Sequence, residues 1–531
     1  MKRIELFFTA ILVPLDFLML LLAAIAAYSL RFQALAEIRP IIFDLPFPYY
    51  IRAASIIALI WLVIRSLRNI GRVSETLGAE NSLLRAIIWK KFWGVKSWFK
   101  SGAFAQVHNR QTANLQTAAN SEVEPSTIGI DRIEVIQQKI APLLLNVSPD
   151  APERINLLIP SIDLKYVFGG YITKFNLARH LAESGFKVRI VIVDYCDYTP
   201  SLWKQQLQAY QGLEKLFDHV ELAYAFDRAT PLEAGADDVF IATTWWTAHI
   251  AHQGVKDMKK EKFLYLIQEY EPFTFAMGSF ACLANQTYDF PHYAIFSTEL
   301  LRDYFRQNAL GVFAKGKDAG DENSLSFQNA ITSVGKIRAE DIANRSPKKL
   351  LFYARPEAHA ARNMFEMAVM ALCQAVESGY FSGEWEFYGI GTVETSARIR
   401  LSDKLYMKLL PRQSQDTYRE VLKEHDLGLS LMYTPHPSLV PIEMASAGML
   451  VVTNTYANKT EDKLSAISPN IIAVDPTIEG VKQGLKEAAA NIEDYDRRAR
   501  GSQIRWSVDW NSSFDEEVMP KIREFIRAAG H

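Results

Sequence analysis

Short, uninterrupted apolar runs recur along this chain at intervals that a helix fills, and this rhythm constrains the fold more than any other feature. Ile155-Asn156-Leu157-Leu158-Ile159-Pro160 ends at a turn, as a parallel strand buried on both faces does. Phe168-Gly169-Gly170 follows, and then Ile172, Phe175, Leu177, Ala178 and Leu181 fall at helical spacing up to Glu183. Gly185 closes the helix and residues 187–194 supply the next strand, completing a β-α-β unit. Residues 238–242, 263–267 and 293–297 read as further strands of an open, mostly parallel sheet. Between about Ala309 and Val334 the rhythm fades into Gly, Asp, Asn and Ser, which reads as a linker or surface excursion. It restarts with a strand near 349–356 and a helix from about Arg362 to Glu377, and continues with strands at 385–389, 427–432, 450–454 and 470–474. Two facing sheets are the economical account, with a ligand cleft beyond the carboxyl ends of their strands. Residues 510–529 read as a helix interrupted at Pro520 that crosses back onto the first half.

With 531 residues, the chain exceeds what one hydrophobic core organises, so several units are expected. A net charge of -2 gives no general pull toward nucleic acid, which is not an expected partner. Cys196, Cys282 and Cys373 are far apart and form no C-x-x-C pair, which argues against a disulfide framework or a structural zinc site.

The first 30 residues are the most apolar part of the chain, with Glu5 and Asp16 as the charged residues between Ile4 and Leu30. Their length suffices to span a bilayer, for which about 20 apolar residues are enough. A second apolar run, about Ile51 to Ile64 with Arg52 near its start, spans or lies re-entrant. Lys2 and Arg3 before the pair and Arg65, Arg68 and Arg72 after it favour a hairpin with both ends cytoplasmic. Aromatics at 89, 92, 93, 98 and 99 alternate with lysines, which suits a helix lying in an anionic interface or one packed on protein. Residues 101–125 turn polar and read as a linker, with a helix from about Ile130 to Leu145 after it. The expected division is a membrane hairpin (1–75), an interfacial helix and linker (76–150), two Rossmann-like domains (151–335 and 336–510) and a C-terminal helix (511–531).

Several residues in this frame are suited to chemistry. Arg355 lies just beyond a predicted strand and Arg362 opens the following helix, so both guanidinium groups are placed to meet a diphosphate. Gly169 and Gly170, and Gly389 and Gly391, follow strands where exposed amides touch phosphate or simply make turns. Glu269 and Glu271 follow another strand end, where they bind acceptor hydroxyls, act as a base, or cap the next element. Trp245 and Trp246 stack on a sugar or pack as core. His249 and His252 lack metal-motif partners, Asp494-Tyr495-Asp496 lies in a charged helical stretch, and no metal site is expected.

The segment Ser438-Leu439-Val440-Pro441-Ile442-Glu443-Met444-Ala445-Ser446-Ala447-Gly448, followed by the strand at Leu450, resembles retaining glycosyltransferases of family 4, which have the GT-B fold. The resemblance implies that Glu443 contacts the nucleotide ribose and that Arg355 and Arg362 bind the donor diphosphate. The family's earlier glutamate falls on Pro435, so His436 or backbone groups would take its contact to the donor sugar. Leu266-Ile267-Gln268-Glu269-Tyr270-Glu271-Pro272 and Ala242-Thr243-Thr244-Trp245-Trp246-Thr247-Ala248 are similar to bacterial rhamnosyltransferases of the rhamnan-synthesis type. Leu15 to Leu22 and Ala27 to Phe32 resemble the membrane segment of bacterial polyprenyl-phosphate sugar-phosphate transferases.

What the resemblance implies is an α/β GT-B enzyme behind a helical membrane hairpin, with its catalytic domains on the cytoplasmic side of a bacterial inner membrane. It would move a sugar, rhamnose from dTDP-rhamnose, onto a cell-surface polysaccharide or lipid-linked precursor. Retention of configuration and no metal or other cofactor are expected, with Arg355, Arg362 and Glu269 as catalytic residues. The alternative is a non-catalytic membrane scaffold for polysaccharide assembly.

Overall fold

The computed structural model describes Ile25 and residues 130–531, apart from 163–168, 209, 211, 259, 344, 393–397, 412–414 and 531. The expected membrane hairpin, the aromatic and basic stretch at 83–100 and the polar linker lie outside the described residues. Among the described residues, no helix is long and apolar enough to cross a membrane.

The compact unit Asp131–His531 holds two seven-stranded sheets. In the first, the strands run in space as Val220–Tyr224, Val188–Ile192, Ile155–Ile159, Val239–Ala242, Phe263–Ile267, His292–Ser297 and Ser324–Phe327, all parallel. In the second, the order is Arg398–Arg400, Tyr406–Leu409, Trp385–Ile390, Lys348–Tyr353, Leu427–Leu429, Leu450–Asn454 and Ile471–Val474, with antiparallel pairing confined to Arg398–Arg400. Each sheet is covered on both faces, which is why its central strands are apolar throughout rather than alternating. This is the expected pair of Rossmann-like domains, the arrangement of the GT-B fold.

Strand order reverses between Ile155–Ile159 and Val239–Ala242 in the first sheet, and between Lys348–Tyr353 and Leu427–Leu429 in the second. At such points the loops leave the carboxyl edge in opposite directions and open a crevice.

Three expectations change. The stretch from Ala309 to Val334 is not mere linker, because Ser324–Phe327 closes the edge of the first sheet and Leu325 and Phe327 join its core. The helix near 130 ends at Ile140, and Leu145–Ser148 pairs in parallel with Leu232–Gly235, so this stretch belongs to the folded unit. Arg362 does not open the next helix. It sits in the 3₁₀ turn Ala358–Asn363, and Met364, at φ +49°, reverses the backbone before the helix Phe365–Glu377 begins.

The chain's end crosses back onto the first domain, but the expected break at Pro520 falls instead at 514–517, between the helices Trp510–Ser513 and Val518–Gly530. The helix Val518–Gly530 carries Pro520 in its first turn, where a missing N–H costs no intrahelical bond. Its Ile522, Phe525 and Ile526 are at most 1% exposed in the core of the first domain, and each such burial contributes about 1.5–3 kcal/mol. The last helix thereby ties the two domains together.

Candidate functional site

A cavity of about 760 Å³ lies where both switch points meet. Thr243 and Thr244 follow the strand Val239–Ala242, Gly170 and Lys174 belong to the helix after Ile155–Ile159, and all four line one wall. Arg355, which follows Lys348–Tyr353, and Met432, beyond Leu427–Leu429, line the opposite wall. Of the residues singled out from the sequence, Gly170, Glu269, Glu271, Arg355, Arg362, Gly391, His436 and Glu443 border this one space.

On the second-domain side, Arg355 is held on several edges. Its Nε donates to Glu357 Oε2 at 2.9 Å, one Nη donates to the Tyr353 hydroxyl at 3.2 Å, and the other meets His359 Nε2 at 3.0 Å. These contacts fix the plane of a guanidinium that is 8% exposed, and Glu357 sets a negative charge beside it. Gly391 permits this approach. Its φ of +106° lies in the region that favours glycine, and a Cβ there would stand 2.7 Å from the Tyr353 ring and 3.1 Å from Arg355 Cδ. Gly389 differs: it is a buried strand residue against Leu409, Ala354 and Met407, outside the cavity wall, so it offers no amide to a phosphate there.

Glu443 sits in the first turn of the helix Val440–Ser446. One carboxylate oxygen accepts the Thr332 N–H at 2.9 Å and the other accepts the Tyr418 hydroxyl at 2.9 Å. Burial pushes its pKa up, and these two donors act against that rise. Thr332 belongs to the crossing between the domains, so this carboxylate also fastens the linker. His436 is 6% exposed; its Nδ1 accepts the Ser438 N–H at 3.0 Å. Burial, with Lys459 and Arg362 nearby, pulls its pKa down to about 3, so the ring is neutral at physiological pH.

The first-domain side brings carboxylates to the same space. Glu269 Oε2 lies 3.7 Å from Arg362 Nε and accepts the Thr434 hydroxyl at 3.4 Å, while Oε1 accepts the Tyr270 N–H at 3.1 Å. Burial raises its pKa, and Arg362 opposes the rise. Glu271 accepts the backbone N–H of Trp245, the first residue of the helix Trp245–Asp257, where the helix dipole favours a negative group. Burial nonetheless pushes Glu271 up to about 8, and it pulls Lys174 down to about 8. Each charge partly offsets the other's desolvation.

The paired tryptophans do not face the cavity. Trp245 is 1% exposed and packs edge-on against Trp246, His249, Phe275 and Phe280, which leaves no ring face for a sugar. Trp246 lies under the Lys139 ammonium, 4.1 Å from the ring centre. Gly169 opens the helix Gly169–Glu183, with Gly170 next to it at the cavity. Among the described residues, no three His, Cys, Asp or Glu side chains converge as a metal-holding group.

Lys174, Asn176, Thr332 and Tyr418 also line the cavity and were not singled out from the sequence. Lys174 and Asn176 had a signal: they are polar residues on a helix that is buried on both of its faces. Thr332 and Tyr418 lie in no motif, and they meet Glu443 through tertiary folding alone.

Comparison with known proteins agrees with this division. Residues 154–299 match the family described as WsaF, N-terminal domain, and residues 348–486 match WsaF, C-terminal domain. The O-antigen biosynthesis protein RfbC of Myxococcus xanthus is 30% identical over 306 residues, 56% of this chain and 21% of that protein. A GDP-Man:Man(3)GlcNAc(2)-PP-Dol alpha-1,2-mannosyltransferase of Dictyostelium discoideum is 27% identical over 118 residues, 22% of this chain and 23% of that protein. The chain thus spans about a fifth of the length of these curated relatives. Among solved structures, Anabaena HepE in complex with UDP and glucose aligns at TM-score 0.49 and 13% identity, covering 71% of this chain and 100% of that one. WaaG, a glycosyltransferase involved in lipopolysaccharide biosynthesis, aligns at TM-score 0.43 and 12% identity, with 71% and 100% covered. The two sheet-bearing domains of the chain are thus similar, in the same order, to the two domains of the WsaF family.

Proposed function

We propose that this protein is a glycosyltransferase that moves a sugar from a nucleotide-diphosphate donor onto a polysaccharide or lipid-linked glycan. One observation carries the reading: the cavity at the two switch points gathers Arg355, Arg362, Gly391 and Glu443 from one domain and Gly170, Glu269 and Glu271 from the other. The relatives' names, O-antigen biosynthesis protein and mannosyltransferase, support the same activity class.

In this reading the second domain holds the donor. Negative charge develops on the departing diphosphate, and Arg355, Arg362 and the amides at the start of the helix Gly169–Glu183 stabilise it without a metal. Glu443 has acceptor capacity beyond its two protein donors for the ribose hydroxyls. Configuration is retained and the donor phosphate takes the acceptor's proton, so no strong enzymatic base is required. Rhamnose from dTDP-rhamnose is the donor we favour, on the resemblance of residues 266–272 and 242–248 to rhamnan-synthesis enzymes. The amino-terminal apolar segments would hold the enzyme at the cytoplasmic face of a bacterial inner membrane, raising its effective concentration at a lipid-linked acceptor.

The test incubates the full chain with a panel of activated sugars and follows thermal shift and donor hydrolysis. A specific donor raises the melting temperature. Turnover lost in folded Arg355→Ala and Glu443→Ala variants supports an enzyme. Glycan-assembly partners retained without any donor binding support the alternative scaffold. Removal of residues 1–129 is expected to leave donor binding intact while lowering turnover on lipid-linked acceptor, and equal loss of both would contradict the tether.

A further inference from the structure

The loops at the carboxyl edge of the first sheet carry a run of aromatic rings that the cavity does not use. Tyr195 is 70% exposed and Tyr198 is 40% exposed, both after the strand Val188–Ile192. Tyr224 and Phe226 follow from the neighbouring strand Val220–Tyr224. Tyr198 stacks on Tyr224 with ring centres 5.3 Å apart, Tyr224 stacks on Phe226 at 6.2 Å, and Tyr195 meets Phe226 edge-on at 5.7 Å.

The rings are fixed from below. Trp203, 3% exposed in the core, supports Tyr198 edge-on at 5.4 Å. The Tyr224 hydroxyl accepts the Cys196 N–H and donates to the Cys196 carbonyl, both at 3.3 Å. Holding large rings in water without a partner forgoes their burial, and a rigid surface of this kind loses little entropy when a ligand covers it.

We infer that these rings form a platform for an uncharged stretch of the acceptor glycan as it leaves the cavity, an inference that rests on the glycosyltransferase reading. Ring faces cover the apolar C–H faces of sugars, while nearby carboxylates accept their hydroxyls. Asp194, Asp197 and Asp227 stand in the same two loops. The basic groups beside them are engaged, Lys139 on Asp194 at 3.0 Å and Arg228 on the carbonyls of Ala141 and Ala225. Three carboxylates against two cations give an anionic lipid surface no attraction here, and the arrangement suits a neutral polyol. The platform is also continuous with the site. The Asp194 N–H donates to the Pro160 carbonyl at 2.7 Å, which sets this loop against the strand end that leads to cavity-lining Gly170. The far strand lies two strand spacings away, about 10 Å, along the same edge.

The experiment exposes the full chain to an array of neutral oligosaccharides of increasing length, alongside phosphatidylglycerol vesicles, with donor thermal shift measured on every variant. The wild type is expected to bind a set of neutral glycans more tightly as they lengthen. Tyr195→Ala, at an exposed position, and Tyr195→Ala/Tyr198→Ala should weaken this binding, the pair by about tenfold, while Tyr195→Phe/Tyr198→Phe retains it. Donor thermal shift should be unchanged in all of them. Absence of glycan binding by the wild type, indifference to the ring deletions, or vesicle binding lost through the same deletions overturns the platform. Loss of donor binding in the wild type with glycan binding intact would instead overturn the enzymatic reading.

Discussion

The Glu269 carboxylate lies 3.7 Å from Arg362 Nε, so a strand end of the first domain and a 3₁₀ turn of the second meet as an ion pair inside the cavity. Both side chains keep some exposure, and such pairs contribute about 0–1 kcal/mol to stability. Arg362→Ala is therefore expected to shift the melting temperature by only a few degrees at most, about 4 °C. If this guanidinium stabilises the departing diphosphate, turnover falls about 100-fold in the same variant. Melting curves and initial rates measured together check the split; a large melting shift with unchanged rate would assign Arg362 to structure.

Glu443 separates stability from ligand binding by another route. Glu443→Ala leaves the Thr332 N–H and the Tyr418 hydroxyl without their acceptor, at a cost of about 1–3 kcal/mol. In Glu443→Gln, the amide oxygen can accept the Thr332 N–H while its NH₂ donates to the tyrosine oxygen, so stability stays near that of the parent. Donor affinity should still fall about tenfold in the Gln variant, because an amide offers the ribose hydroxyls a weaker acceptor than a carboxylate. Denaturant melts and calorimetric donor titrations distinguish the two effects.

Trp245 is expected to behave as core. Trp245→Ala removes a 1% exposed ring from a five-membered aromatic cluster and should destabilise the protein by about 3–5 kcal/mol. Trp245→Phe, which keeps a ring in place, should retain the acceptor KM. A raised KM in a stably folded Phe variant would return this residue to the acceptor site.

The residues show why the sequence was readable in some places and not in others. Strands buried on both faces, such as Phe263–Ile267 and Leu450–Asn454, are apolar at every position and announce themselves. Edge elements do not. Val220–Tyr224 carries Glu221 toward solvent, and Ser324–Phe327 alternates serine with apolar residues, so neither stands out from its surroundings. The site was legible where a strand's carboxyl end delivers a residue directly, as at Arg355, Glu269 and Glu271. It was misread where local geometry intervenes. Arg362 looked like a helix start because the reversal at Met364 has no marker of its own, and Gly389 looked like a loop glycine although it is still within the strand. Tyr418 and Thr332 became visible only when the domains came together on Glu443.

Glu271 gives the last prediction its sign. Burial carries its pKa from the ordinary 4.5 to about 8 in the folded chain. Between those values the folded protein holds a proton that the unfolded chain has released, so stability falls as pH rises through that window. Lys174 acts in the opposite direction above it. Its folded value of about 8 lies below the ordinary 10.5, so the unfolded chain binds more protons and stability rises with pH between those two values. Glu271→Gln should flatten the decline below pH 8 and, by removing the charge that supports the Lys174 ammonium, let the upper limb begin at lower pH, whereas Lys174→Met should flatten the upper limb. Denaturant melts at intervals from pH 5 to 10 measure both limbs, and a Glu271→Gln profile that parallels the parent below pH 8 would show that this carboxyl does not titrate there.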